Sequence, residues 1–358
     1  MPMLLLALIA DLCAAPLHER VDGDRLMETV ELLSGAAPLD GAPLASRSVY
    51  HPDVDRAALW LEEQLTAIEG LQVTVEPFDA PGAPGLVNLI AELPGADPEA
   101  APVVLAAHYD STANLDEGWD PAVDPAPGAD DDASGVAAVL EAARLFADAR
   151  AEGTLTLSRP LRFALFSGEE VGLLGSTAHV AGLDGDVRMA LVLDPVGYNP
   201  GGADFLFFSY DARWPEEADA LVATHAALDG PLELGGVDAE QIGGDRRSDH
   251  APFWDAGVPA LHVGSFPQPW SYHTMNDTID VVDGAYLSAV AGLSVAHVEA
   301  LGQPVAPIGT RTGCQHVQGS ERYPLIMLAL SAALLCLRRR TGVLYHCDRP
   351  HSGATIIC

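Results

Sequence analysis

Three consecutive aspartates, Asp130, Asp131 and Asp132, stand inside the stretch from Pro127 to Gly135. Three adjacent carboxylates repel one another, and no regular element points all of them one way, so the run needs a cation or abundant water. A solvated acidic loop is the plain explanation of such a run, and the alternating pattern of a calcium loop is absent. The context adds something. Ala133-Ser134-Gly135 follows, and the apolar spacing from Val136 to Phe146 predicts an amphipathic helix, whose electropositive start can hold a carboxylate in a fixed pose.

Further polar groups fall where apolar runs end: His108-Tyr109-Asp110, Glu169-Glu170 and Asp194. Singly, each has an ordinary explanation, such as a hydrogen-bonded core histidine, a helix-capping acid or a strand-end turn. Jointly, those explanations bring at least four acids to one sheet edge without counter-charge. A dinuclear metal site removes the difficulty. Two divalent ions balance Asp131, Glu170, Asp194 and one bridging hydroxide, with His108 and His273 neutral. These nitrogen and oxygen donors suit two zinc ions, with cobalt or manganese as substitutes. Glu169, beside a ligand but unbound, is then free to move protons. Asp110, on the same side of an extended segment as His108, would orient that imidazole.

The motifs His108-Tyr109-Asp110-Ser111, Pro127 to Gly135, Gly168-Glu169-Glu170-Val171-Gly172-Leu173, Asp194, Ser248-Asp249-His250 and His273-Thr274 occur in this order. Together they resemble the bacterial secreted two-zinc aminopeptidases of the leucyl aminopeptidase and aminopeptidase Y type, over about residues 50–300. The resemblance implies that Asp131 bridges both metals, that His108, Asp194, Glu170 and His273 complete the ligand sets, and that Glu169 is the general base. It also implies a non-proline cis peptide after Asp131 and a zinc-exopeptidase fold, three-layer α/β/α around a mixed, largely parallel sheet.

The activity so implied is hydrolysis of the first peptide bond from a free, preferably apolar amino terminus. One departure stands out: where some members carry a tyrosine and a disulfide, this chain has Gly244-Asp245-Arg246-Arg247. Arg247, with Asp245 and Tyr272, is a candidate substrate-binding residue. An arginine meeting a substrate carboxylate would instead suit a carboxypeptidase on the same centre. A glutaminyl cyclase, on a related one-zinc site, is a second rival, and a non-catalytic receptor or adhesin domain a third. No Gly-x-Ser-x-Gly elbow, His-Glu-x-x-His helix or Walker loop is present.

The elements that must position these groups follow from periodicity. Helices are predicted over about 21–37, 53–71, 136–149, 171–180, 216–228 and 285–301. Strands are predicted over about 71–78, 86–93, 102–107, 161–166, 189–193, 205–209 and 260–263. Continuously apolar strands alternating with helices imply an α/β fold with a largely parallel sheet covered on both faces. Functional groups of such folds gather at the carboxyl ends of the strands.

The 358 residues suffice for one large domain, or two smaller ones, with a substantial core. The formal charge is -33, and every basic side chain is arginine. That charge argues against nucleic acid and anionic membrane surfaces as partners of the body; a peptide or protein substrate is what the resemblance implies. Residues 306–358 differ, with six Arg against Glu321 and Asp348, so -37 remains for residues 1–305. All five cysteines, Cys13, Cys314, Cys336, Cys347 and Cys358, lie in the terminal segments, which rules out thiolate metal sites in the body.

Met3 to Ala10 with the small residues after it suggests a signal peptide over 1–19, although Asp11 interrupts it and no basic residue precedes it. The catalytic domain is then 20–305. Tyr323 to Leu337, ahead of three arginines, falls short of the ~20 residues that cross a bilayer. With the polar spacer before it, the tail resembles a C-terminal sorting signal, so export, released or attached at the cell surface or membrane, is the expectation.

Overall fold

The computed structural model describes residues 15–80 and 83–303. Met1–Val305 and Ala306–Cys358 separate as two units, and described residues occur only in the first. The expected sorting tail, and all but the last five residues of the expected signal segment, lie outside the described residues. Leu17, within that segment, packs into the core.

Eight strands form one sheet: β1 (Gln72–Ala80), β2 (Ala83–Leu93), β3 (Val103–His108), β4 (Leu161–Phe166), β5 (Met189–Leu193), β6 (Phe205–Tyr210), β7 (Glu233–Asp238) and β8 (Ala260–Ser265). Their order is β1-β2-β4-β3-β5-β8-β6-β7. The four central strands β4, β3, β5 and β8 are mutually parallel. β1, β2 and β6 add antiparallel pairings on either side, and β7 runs parallel to β6. The sheet is thus mixed with a parallel centre, as the sequence predicts.

The helices are α1 (Gly23–Leu33), α2 (Asp53–Ala67), α3 (Ala133–Ala151), α4 (Leu174–Ala181), α5 (Pro215–Ala227), α6 (His250–Asp255) and α7 (Gly284–Gly302). Alternation along the strands assigns them to two layers. Val103, Leu105 and Ala107 of β3, with Met189, Leu191 and Leu193 of β5, join the core beneath α1, α2, α3, α5 and α7. Val104, Ala106, Ala190 and Val192 face the other way, toward Phe253 and Trp254 of α6 and Val180 of α4. This is a three-layer α/β/α arrangement. α3 differs from expectation: it is buried on nearly every side, because α1 and α7 pack against it while it also lies on the sheet. Its small residues, alanine above all, permit that close approach.

Register carries the fold to the site. Ala106 of β3 pairs with Val192 of β5, so two residues on, His108 comes opposite Asp194. Both follow the same parity and point to the same side of the sheet. The loop from Ser167 to Glu170 leaves the adjacent strand β4 at the level of His108, which pairs with Phe166.

The start of α3 lies close beneath this edge. A Cβ on Gly135 would stand 2.5 Å from both carboxylate oxygens of Asp132 and 2.6 Å from the carbonyl oxygen of Leu193. We therefore expect Gly135→Ala to lower the stability of the metal-free protein by about 1–3 kcal/mol, the usual scale of overpacking. Urea unfolding would measure it, and an unchanged midpoint would contradict the close approach.

Candidate metal centre

The three aspartates do three different things. Asp132 caps α3, its Oδ1 accepting from the Gly135 amide at 3.0 Å, while Oδ2 accepts from the His108 amide at 3.3 Å. Asp130 reaches the loop after β5, where Oδ1 accepts from the Gly197 amide at 2.7 Å. Asp131 is left with both oxygens facing the strand ends. The peptide between Asp131 and Asp132 is cis.

Two groups of side chains converge on Asp131. Nε2 of His108 lies 3.1 Å from its Oδ1 and 3.5 Å from Oδ1 of Asp194. Nε2 of His273 lies 3.1 Å from its Oδ2 and 3.1 Å from Oε2 of Glu170. One carboxylate thus turns one oxygen to each group. His108 Nε2, Asp131 Oδ1 and Glu170 Oε1 are buried and lack a hydrogen-bond partner among the described residues. Close approach without hydrogen-bond geometry means that these atoms aim at points between them. Tetrahedral bonds of about 2.0–2.2 Å to zinc put neighbouring donor atoms about 3.3–3.6 Å apart; the separations here, 3.1–3.5 Å, lie within or just below that span, and small outward shifts of the side chains would admit a metal.

Glu169 stands beside this centre. It, His108 and Asp194 each offer an atom within 4.8 Å of the others, so proximity alone would also admit it as a ligand. Its position is set from the main chain: the Asp110 carboxylate accepts from the amides of Glu169 and Glu170, at 3.1 and 3.3 Å. Nδ1 of His108 donates to the Asp110 carbonyl at 3.1 Å, whereas the nearer carboxylate oxygen is 3.6 Å away. Asp110 thus stands against the imidazole with both its carbonyl and its carboxylate, and the carboxylate also holds the Glu169-Glu170 turn.

With the protein's own charges alone, the electrostatics are unbalanced. Burial pushes Glu169 well above the usual carboxylate range, with repulsion from Asp194 and Glu170 adding to it against the attraction of His108. Burial, then the Asp131 charge, pushes Glu170 up to about 7. Burial opposes a charge on His273, but Asp131 and Glu170 outweigh it and raise the imidazole to about 10. Burial would likewise raise Asp131, yet the two histidines hold it well below the ordinary range. Protons taken up by these groups would relieve the repulsion.

The remaining expected residues divide. Tyr272 stacks on His273, ring centroids 3.7 Å apart. Arg247 is more than half exposed and donates through Nε to Asp245 at 2.9 Å. Asp245 itself is not free to meet a substrate, contrary to expectation. It is buried, and besides Arg247 it accepts from Ser209 at 2.7 Å and from Nδ1 of His262 at 2.9 Å. Arg246 pairs with Asp255 at the surface. His250 stacks on His262 and donates to the Asp245 carbonyl at 2.8 Å.

Asp245, His250 and His262 also lie close enough together to gather a cation. Both nitrogens of His262, however, donate to oxygens, the second to the Asp194 carbonyl at 2.7 Å. The group is a hydrogen-bonded support beneath Asp194.

Two residues at the centre escaped the sequence analysis. Arg47 is fully buried behind the acidic loop, and Asp277 accepts from the amides of Asp130 and Asp131 at 3.1 and 3.0 Å. Both act on main-chain groups, which leave no spacing signature. The only available signal was the closeness of Asp277 to His273 in the chain.

Residues 88–298 match the family described as Peptidase family M28. Leupeptin-inactivating enzyme 1 of Streptomyces exfoliatus is 32% identical over 260 residues, covering 71% of this chain and 52% of that protein. Leucine aminopeptidase 1 of Ajellomyces capsulatus is 37% identical over 153 residues, 41% of this chain and 38% of the relative. The chain thus spans about half, or less, of the length of these curated relatives.

Among solved structures, the Legionella pneumophila LapA aminopeptidase aligns with TM-score 0.65 at 20% identity, over 81% of this chain and 73% of its own. A glutaminyl cyclase of Bacteroides thetaiotaomicron aligns with TM-score 0.60 at 21% identity, over 78% of this chain and 98% of its own. Both likenesses speak to fold, which does not separate the two activities. The family model covers more than half of the sequence, and the chain belongs to peptidase family M28.

Proposed function

We propose that this chain is a zinc-dependent aminopeptidase that hydrolyses the first bond of peptides or proteins with a free, preferably apolar amino terminus. The observation that carries the reading is the shared Asp131 carboxylate, one oxygen toward His108 and Asp194, the other toward His273 and Glu170. His108, Asp194 and Asp131 would hold one zinc ion, and His273, Glu170 and Asp131 a second, with cobalt or manganese as substitutes. Bound there, the ions would supply an acidified water and a polarised carbonyl.

The protein's own groups do the rest. Glu169, held by the Asp110 carboxylate through its amide, takes a proton from the attacking water and returns it to the leaving amine. The acids around the centre favour a substrate end that carries an amine over one that carries a carboxylate. Tyr272 and Arg247, beside the ligand-bearing residues, are the side chains proposed to touch substrate, with Asp245 supporting Arg247 from beneath. We assign these roles to a catalytic domain of residues 20–305, and propose that 1–19 and 306–358 serve export and surface sorting.

Arg247 also favours a second reading. Among the described residues only its Nε is committed, to Asp245, which leaves the outer guanidinium edge for an anion, as a carboxypeptidase would need. End-blocked peptides separate the readings. An unblocked leucyl peptide should be cleaved and its acetylated twin left nearly inert, while amidation of the carboxyl end changes little. Rapid release of residues from the carboxyl end of the acetylated peptide would overturn the aminopeptidase assignment and leave the centre standing.

Glu169→Gln tests the proton transfer. Turnover should fall by about 10²–10⁴-fold, the contribution expected of a positioned acid-base group, with zinc content unchanged. Turnover comparable to wild type would remove Glu169 from the mechanism.

A further inference from the structure

We propose that Arg47, together with Asp277, is a positioning residue of the metal centre, the two side chains fixing where Asp131 stands between its two groups of neighbours. The inference rests on the reading of the site as a metal centre.

Arg47 has no exposed surface and no carboxylate within ion-pair distance among the described residues. Its guanidinium donates to four main-chain carbonyls: Leu33 at 2.6 Å, Tyr109 at 2.7 Å, Pro127 at 2.6 Å and Gly128 at 2.9 Å. Its own amide donates to Ser111 Oγ at 3.0 Å. These bonds join the last residue of α1, the residue after His108 and the chain just ahead of the aspartates.

A buried guanidinium without a paired carboxylate is costly, and an apolar side chain would fill the same space. What an apolar side chain lacks is direction: five N–H donors in a rigid fork. Burial lowers the Arg47 pKa to about 10, against the pull of Asp277, Asp132, Asp110 and Asp131, so the group stays charged. Its compensating field comes from acids in and around the metal site.

Asp277 completes the grip from the opposite side. Its carboxylate accepts from the amides of Asp130 and Asp131, and its carbonyl accepts from the Ala129 amide at 3.0 Å. Donors therefore hold the carbonyls of residues 127 and 128, and acceptors hold the amides of residues 129 to 131. Neither clamp uses the Asp131 carboxylate, which is left to the centre.

A merely structural staple would lower thermal stability and leave metal binding in the folded protein unchanged. A positioning role moves the metal affinity itself, on the 10–100-fold scale of residues that support ligands from behind. The test is zinc affinity by chelator competition on wild type, Arg47→Lys, Arg47→Met and Asp277→Asn, with the visible spectrum of each cobalt-loaded protein.

Lysine keeps the charge but cannot reach four carbonyls, and asparagine keeps the shape of Asp277, so these two variants carry the test if Arg47→Met fails to fold. We expect about 10–100-fold weaker zinc binding in the folded variants and displaced cobalt bands. Wild-type affinity and spectrum in the folded variants would overturn the proposal, however far their melting temperatures fall. Wild-type protein that takes up no zinc would instead overturn the reading of the site on which the proposal rests.

Discussion

Like charges gathered in a place with little water are the constraint on which the rest of this structure depends. Asp131, Glu169 and Asp194 are buried, Glu170 stands beside them, and among the described residues His108 and His273 face them directly. In a metal-free protein, protons must do what a divalent cation does better. That is why Glu169 and Glu170 are pushed up, Asp131 is held down and both histidines are raised. Metal binding would displace those protons, and folding and metal uptake are linked through them.

Everything around the site limits how those charges can move. Parallel register brings His108 opposite Asp194, and the turn after β4 delivers Glu169 and Glu170, held at their amides by Asp110. The acidic loop arrives from the start of α3, and the His273 loop closes the far side. In each case the fixing contact reaches the main chain, so the reacting carboxylates keep their oxygens free. The same division explains a run of three aspartates: the outer two anchor backbone, and the middle one faces the centre.

What the sequence revealed, and what it hid, follows from the same physics. β3, β4 and β5 are almost continuously apolar because both faces are covered, and each gives way at once to a polar residue, so their ends and the candidate ligands there were legible. β7 was not. Its Gly235 and Gly236 carry no apolar period, and they lie where the rings of Phe205 and Phe208 leave no room for a side chain, with 2.3 Å to a built Cβ at each. α6 is six residues long and contains Pro252, too short to show a period. Arg47 and Asp277 stayed hidden because they bond to carbonyls and amides, which are present at almost every residue.

The central claim is that one carboxylate joins two ligand sets, so that the centre holds two ions. Elemental analysis of the zinc-reconstituted protein, freed of loosely bound metal by gel filtration, tests it most directly. The account predicts two zinc ions per chain. A content that stays at one or below after full reconstitution would contradict it.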